Sequence, residues 1–214
     1  MCVAGVPTRA IRTSGTGELG WELYARPDGL RNIYDAIMAS GRVGDFGTYA
    51  LNSLRLEKGL RAWGSDVTVD TDPYEAGLED YVRLDKETEF VGREALRRIR
   101  AEGPRRRLVL LTVDTNDVDA IGNESVWYGD RVVGHTTSGA YGATVGRSLA
   151  LAYLPTELTA SGTEVHVELL GDRHRAVVEK GPPVTVEALR AKERGQKDAV
   201  ADATLRYDTI YTVS

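Results

Sequence analysis

The apolar residues of this chain change their spacing at Gly103-Pro104, and that change limits the folds open to it. Before the break the spacing is mostly helical. After Pro27-Asp28-Gly29, with Asp28 as the candidate cap, Leu30, Ile33, Tyr34, Ile37 and Met38 recur at intervals that share one helix face, and Gly41 closes the run. A second helix is predicted from Thr48 to about Gly59, carrying Leu51, Leu54 and Leu56, and a third from Gly92 to Ala101. Glu18–Ala25 alternates as a strand, and Val82-Arg83-Leu84 is strand-like. Beyond the break the chain reads as short strands joined by glycine-containing turns: Leu108–Val113, the hairpin Val126-Trp127-Tyr128 to Arg131-Val132-Val133 through Gly129-Asp130, then Leu149–Leu154. Thr163–Leu169 follows, turned by Gly171-Asp172 into Ala176-Val177-Val178. Strands this dense predict a small barrel or sandwich. The residues thus predict α+β followed by a small barrel or sandwich, with domains at 1–102 and 103–181. The tail, 182–214, opens on Pro182-Pro183; Val186–Ala203 is charged and weakly helical, and Leu205, Tyr207, Thr209, Tyr211 and Val213 alternate as an edge strand.

Composition removes whole classes of function. With 27 Lys and Arg against 32 Asp and Glu, the net charge of −5 argues against a dedicated nucleic-acid binder. No apolar run is long enough to span a bilayer, and the N-terminus has no basic segment followed by an apolar one, so neither a membrane nor a secretory route is expected. The single cysteine, Cys2, forms no internal disulfide, which fits a reducing, cytoplasmic compartment. His135, His166 and His174 lack any zinc-ligand spacing, and neither a P-loop nor a G-x-S-x-G elbow occurs. Gly15-Thr16-Gly17-Glu18-Leu19-Gly20 matches the dinucleotide fingerprint G-x-G-x-x-G. That fingerprint must open a helix to place phosphate at its N-terminus, whereas here alternating residues follow and a strand is expected.

Two groups of charged residues remain as chemistry. Glu18 and Glu22, read on one strand face, would stand roughly 13 Å apart, too far for a glycosidase acid/base pair. A single carboxylate beneath a cavity can instead accept two parallel N–H bonds from a planar heterocycle such as a pterin; the alternative is that both glutamates are solvated strand residues. Arg93, Arg97 and Arg100 share a helix face and Arg105, Arg106 and Arg107 follow, giving either a phosphate-binding patch or a solvated face opposite Ala95, Leu96 and Ile99, and the solvated face is preferred.

The segment Arg12–Tyr24, with Thr16-Gly17-Glu18-Leu19-Gly20-Trp21-Glu22, resembles the T-G-E-x-G-[WFY]-E segment of the tetrahydrofolate-dependent aminomethyltransferase family. That family includes the glycine-cleavage T-protein and the folate-binding parts of dimethylglycine and sarcosine dehydrogenases. Further blocks follow in the family's order: Leu51–Gly64, Asp72–Leu78, Phe90–Leu96, Val133–Gly142 and Val145–Pro155, so the resemblance covers about residues 9–180. Gly-Trp-Glu-Leu-Tyr and Arg-Ala-Trp-Gly favour the dehydrogenase branch. The resemblance implies tetrahydrofolate as the cofactor, with Glu22 as the pterin-binding carboxylate and Arg55 near the folate cavity, where it would balance Glu22 or meet folate's carboxylates; a helix salt bridge is the alternative for Arg55. The Gly-rich Ser138–Gly142 either lets the barrel's backbone approach the first domain or is an ordinary loop.

Three departures shape the expectation. Gly15 stands where the family has a folate-lining tyrosine, Asn52 stands where an aspartate is common, and the match begins in mid-domain. The fold class the resemblance implies is therefore α+β, an incomplete folate-binding aminomethyltransferase domain followed by a small C-terminal β-barrel. The family's catalytic aspartate would lie in the half not represented here, so no catalytic residue and no metal ligand is assigned, and FAD is not expected to be bound by this chain. The expected partners are a reduced folate and either a second copy or a chain supplying the missing half, because an incomplete sheet exposes strand edges. Two function classes follow: the C-terminal part of a folate-dependent aminomethyl (one-carbon) transferase, or a non-catalytic folate-binding or assembly module.

Overall fold

A computed structural model describes residues 1–18, 20–185 and, by their backbone alone, 209–211. The chain forms two compact units, residues 1–51 with 184–214 and residues 52–183.

In the first unit, β1 (Cys2–Val3) and β2 (Val6–Pro7) form a small antiparallel pair. A second sheet contains β3 (Arg9–Arg12) and β4 (Gly20–Tyr24), antiparallel with Ile11 opposite Glu22 and Arg12 opposite Trp21. Thr209–Tyr211 adds a parallel edge strand to β4, within the tail segment whose alternation predicts one; the rest of that segment and all of the weakly helical 186–203 lie outside the described residues. The glycine fingerprint leads into β4, as the alternation requires. Glu18 is not part of that strand: the chain bends through Gly15–Glu18, with Gly17 at φ +80°, and β4 begins only at Gly20. The strand-face spacing expected of Glu18 and Glu22 therefore does not apply.

Helix α1 (Pro27–Met38) follows directly. Its N-cap is Arg26, in extended conformation, and Asp28 sits inside the first turn without capping by its side chain. The reason is Pro27, whose fixed φ and missing N–H suit the first helical position, which moves the cap one residue earlier than Asp28 would. Ile33 is buried, and the helix lies so near Val6 that a Cβ on Gly29 would meet its side chain at 2.4 Å.

Helix α2 (Thr48–Glu57) runs across the division between the units. It stops two residues short of Gly59 because the chain there makes a left-handed exit. Gly59, at φ +61°, donates to the Leu56 carbonyl, and Leu60 donates to that of Arg55, the paired bonds of a Schellman cap. Helix α3 (Arg93–Glu102) opens from Gly92 at φ +90° and closes at Gly103. Val82–Leu84, expected as a strand, is irregular. The Leu84 carbonyl has no ladder partner; it accepts from Nε and Nη2 of Arg93 at 2.9 and 2.6 Å. Arg93 is accordingly buried rather than part of a solvated face, and its remaining bond goes to Glu89.

The second half of the chain is a closed barrel, one of the two architectures that the strand density predicts and the one the resemblance implies. Six antiparallel strands close on themselves: β5 (Arg106–Val113), β6 (Ser125–Tyr128), β7 (Arg131–Gly142), β8 (Arg147–Pro155), β9 (Glu164–Leu169) and β10 (Asp172–Val178), in the order β10-β5-β8-β7-β6-β9. Leu111, Val113, Val126, Ala150, Ala152, Val165, Val167, Ala176 and Val178 belong to one buried cluster, alanine and valine predominating as the narrow interior of a small barrel demands. The opposite faces of β5 and β8 are buried as well, with Leu108, Leu110, Leu149, Leu151 and Tyr153 packed around Leu56 of α2. Burial on both faces is why these two strands read as continuous apolar runs rather than alternations. Among the described residues no helix is long and apolar enough to cross a membrane.

Where β7 crosses β8, Gly134 is required by contact rather than by conformation: a Cβ there would lie 2.0 Å from the Tyr153 carbonyl oxygen. Gly134→Ala is expected to destabilise the protein by about 1–3 kcal/mol in denaturant unfolding. Gly181→Ala, where an added Cβ meets nothing within 4 Å, should change stability by less than about 0.5 kcal/mol.

Candidate functional site

Glu22 lies on the central strand of its sheet, between β3 and the edge strand. Alternation puts Glu22 and Tyr24 on one face and Trp21 and Leu23 on the other, where the Arg12 guanidinium stacks 5.4 Å from the centre of the Trp21 ring. The Glu22 side chain is half-buried, and its Oε2 accepts a hydrogen bond from the Tyr24 hydroxyl. Its Oε1 has no hydrogen-bond partner among the described residues. This bond to the Glu22 carboxylate, together with partial burial, raises the Tyr24 phenol above its ordinary pKa, because the carboxylate both accepts the phenolic proton and repels the phenolate. Tyr24 is the residue that sequence reasoning passed over, although the i, i+2 rule for strands would have paired it with Glu22.

The turn before β4 adds two features. Ser14 Oγ is buried without a hydrogen-bond partner among the described residues. Gly15 has room around it: a Cβ would find only Leu51 Cδ1, at 4.0 Å, and its φ lies outside the left-handed region. A side chain is therefore sterically acceptable at this position.

Arg55 belongs to the second unit and Glu22 to the first. Arg55 is 6% exposed and pairs with a residue outside its own helix: Nη1 lies 2.6 Å from Asp66 Oδ2 and also donates to the Leu60 carbonyl. Asp66 is the centre of a buried polar cluster. Its Oδ2 also accepts from the Ala62 amide at 2.8 Å, while Oδ1 accepts from Thr137 and Ser138 hydroxyls at 2.5 and 2.6 Å. The Tyr153 hydroxyl donates to the Asp66 carbonyl, and burial holds that phenol above its ordinary pKa. Asn52 and Ser53 donate to the carbonyls of Gly139 and Tyr141. Ser138–Gly142 is thus part of strand β7 and not a loop, and its backbone does receive side chains from the segment before the barrel. Gly139 is needed here, since a Cβ would lie 2.4 Å from the Ala120 carbonyl oxygen. Neither Asp66 nor its hydroxyl partners stood out in the sequence, because nothing in Gly64-Ser65-Asp66 marks a carboxylate as buried.

Three more arginines of the run from Arg93 to Arg107 are engaged with carboxylates. Arg106 reaches Glu75 and stacks on the Tyr153 ring, Arg107 reaches Glu79, and Arg97 bonds Glu94. No cluster of His, Cys, Asp and Glu among the described residues could hold a metal ion.

Two successive models of one family match the chain. The GCVT N-terminal domain matches residues 1–86, and the glycine cleavage T-protein C-terminal barrel domain matches residues 106–184. Mitochondrial dimethylglycine dehydrogenase of Mus musculus is 53% identical over 92% of this chain and 23% of its own length. Mitochondrial sarcosine dehydrogenase of Mus musculus is 39% identical over 88% of this chain and 22% of its own. An aminomethyltransferase of Symbiobacterium thermophilum is 36% identical over 84% of this chain and 49% of its own. Among solved structures, the glycine cleavage system aminomethyltransferase T from Bartonella henselae superposes with a TM-score of 0.73 at 32% identity, covering 82% of this chain and 49% of that one. The chain therefore spans about a quarter of the dehydrogenases and half of the aminomethyltransferases it matches.

Two predictions follow from the geometry. Asp66→Ala strands a buried guanidinium and two hydroxyls, and should cost about 3–5 kcal/mol in denaturant unfolding. Glu22→Gln should return the Tyr24 phenol toward its ordinary pKa, read as a difference in phenolate absorbance against Tyr24→Phe. The sign is that of a group raised in the fold: its contribution to stability is full below the unfolded pKa and is lost as the pH climbs through the raised one.

Proposed function

The chain belongs to the glycine cleavage T-protein family of aminomethyltransferases, and from that premise we propose that it forms the C-terminal part of a tetrahydrofolate-dependent aminomethyl (one-carbon) transferase of the dimethylglycine dehydrogenase branch. The observation that carries this reading is the Glu22 carboxylate. It is half-buried at the centre of a sheet, with one oxygen oriented by Tyr24 and the other without a partner among the described residues. The donor set suits the N–H-rich edge of a pterin: a carboxylate can accept both parallel bonds, and the partnerless Ser14 Oγ in the turn before β4 offers a further polar atom.

When bound, tetrahydrofolate supplies the nitrogen that takes up the one-carbon unit. The part played by these residues is binding and orientation. Glu22 fixes the plane and rotation of the heterocycle through bidentate acceptance, and Tyr24 holds the carboxylate's own rotamer by donating to Oε2. Arg55, committed to Asp66, acts as a positioning residue that keeps the segment after α2 in place rather than as a direct ligand of the carboxylate tail. Proton management at the transferred carbon is assigned to groups outside this chain, and the amine substrate and the partner half are proposals of the same standing. Dimethylglycine-like and sarcosine-like amines are the substrate class indicated by the relatives' names.

Calorimetric titration with 5-formyltetrahydrofolate tests the reading. Saturable binding by the unaltered chain that weakens at least about tenfold in Glu22→Gln, or roughly 1.4 kcal/mol, is the expected result; equal affinity in the two proteins would remove Glu22 from the site. Because Gly15 has space and an unstrained φ, Gly15→Tyr is expected to strengthen binding by supplying an aromatic face, by about 1 kcal/mol.

A further inference from the structure

We propose that the second unit carries an anion site, separate from the folate reading, that takes a small dianion: a phosphate or a dicarboxylate. The site is a pocket of about 270 Å³ beside the outer face of β5, and Lys58, Arg61, Arg107 and Lys180 all line it, against a single lining carboxylate, Glu179. That carboxylate already accepts a hydrogen bond from the Thr112 hydroxyl.

The four cations differ in how their charge is met. Arg107 is paired with Glu79. Arg61 is held in place by three backbone carbonyls, with Nε on Ala76 at 3.0 Å, Nη1 on Gly59 at 3.0 Å and Nη2 on Gly77 at 3.2 Å. Those bonds fix the guanidinium without neutralising it, and it makes no ion pair among the described residues. A Cβ on Gly77 would sit 2.8 Å from Arg61 Nη2, so the close approach of that backbone is itself part of the fixation. Lys180 is exposed and likewise makes no ion pair among the described residues. Lys58 is only 6% exposed, and its Nζ donates to the Leu54 carbonyl at 3.5 Å, so it lines the pocket as an already engaged group.

Arg61 and Lys180 thus bring to the pocket positive charge that no carboxylate among the described residues pairs, beside Leu108 and Leu110 of β5. An anion entering the pocket meets a guanidinium whose orientation is already set, so little ordering is required. The pocket lies just below the usual range for drug-sized ligands, which fits a small dianion.

The test is titration of the intact chain with inorganic phosphate and, separately, with succinate, each against chloride at matched ionic strength. Calorimetry and the amide shifts of Gly59 and Gly181 are the readouts. The variants are Lys180→Glu, whose exposed side chain leaves the fold intact, and Lys86→Glu, which removes a cation seated over Phe90 outside the pocket. Saturation is expected with at least one dianion, weakened roughly tenfold by Lys180→Glu and unchanged by Lys86→Glu. Phosphate alone would assign a phosphate-bearing ligand, succinate alone a carboxylate-bearing one, and both a general dianion site. Shifts that track ionic strength without saturating, or equal weakening by the two variants, would overturn the proposal. Glu22→Gln leaves this titration unaffected, so a failure here and a failure of the folate reading are told apart.

Discussion

One buried carboxylate organises the second unit. Asp66 is 1% exposed, and an ionised group so far from water is tolerated only when its lone pairs are filled. Here a guanidinium, a backbone amide and two hydroxyls fill them. Because the donors come from α2, from the loop after it and from β7, the segment following the helix has one place against the barrel. Hydrophobic contact alone would allow it to slide. The bonds from Asn52 and Ser53 to β7 carbonyls extend the same attachment, and the glycines of β7 make it possible, since side chains at 134 and 139 would collide with neighbouring backbone.

The two halves of the family signature play different physical parts. The Thr-Gly-Glu block ends in an accessible carboxylate with an oriented phenol beside it, an arrangement suited to recognising a flat, N–H-bearing ligand. The Leu-Arg-Leu-Glu-Lys-Gly block is mostly internal support. Arg55 goes to Asp66, and Glu57, 1% exposed, accepts the Thr144 amide at 2.6 Å. Gly59 makes the left-handed exit that sends Arg61 toward Ala76 and Gly77. Charged residues in a family block are thus not all ligand residues. An arginine whose partner lies within the fold supports the architecture of its own unit.

Legibility in the sequence followed the range of the interactions. The barrel hairpins were readable because glycine at a turn and alternation along a strand are local signals, and Gly129 and Gly171 do adopt positive φ at their turns. All three helices were readable, with ends displaced by a residue or two where Pro27 and the Gly59 exit set the boundary. Val82–Leu84 misled because three apolar or long residues look like a strand, whereas the carbonyl of Leu84 is taken by an arginine nine residues on. Arg93 misled for the same reason from the other side. Its helix-face spacing matches that of Arg97 and Arg100, and only the fold decides that it is buried.

The sequence by itself determined the three helices and most strands of the second half and, through the family resemblance, the barrel and Glu22 as the carboxylate worth attention. Those depend on periodicity, turn chemistry and a run of ordered blocks, all of which are one-dimensional. Tertiary structure decided which charges are spent and which remain. Arg55, Arg93, Arg106 and Arg107 find partners that lie up to 31 residues away, while Arg61 is fixed by carbonyls and keeps its charge. A charge shows in the sequence wherever it occurs; whether it is neutralised depends on what the folded chain brings within about 4 Å of it.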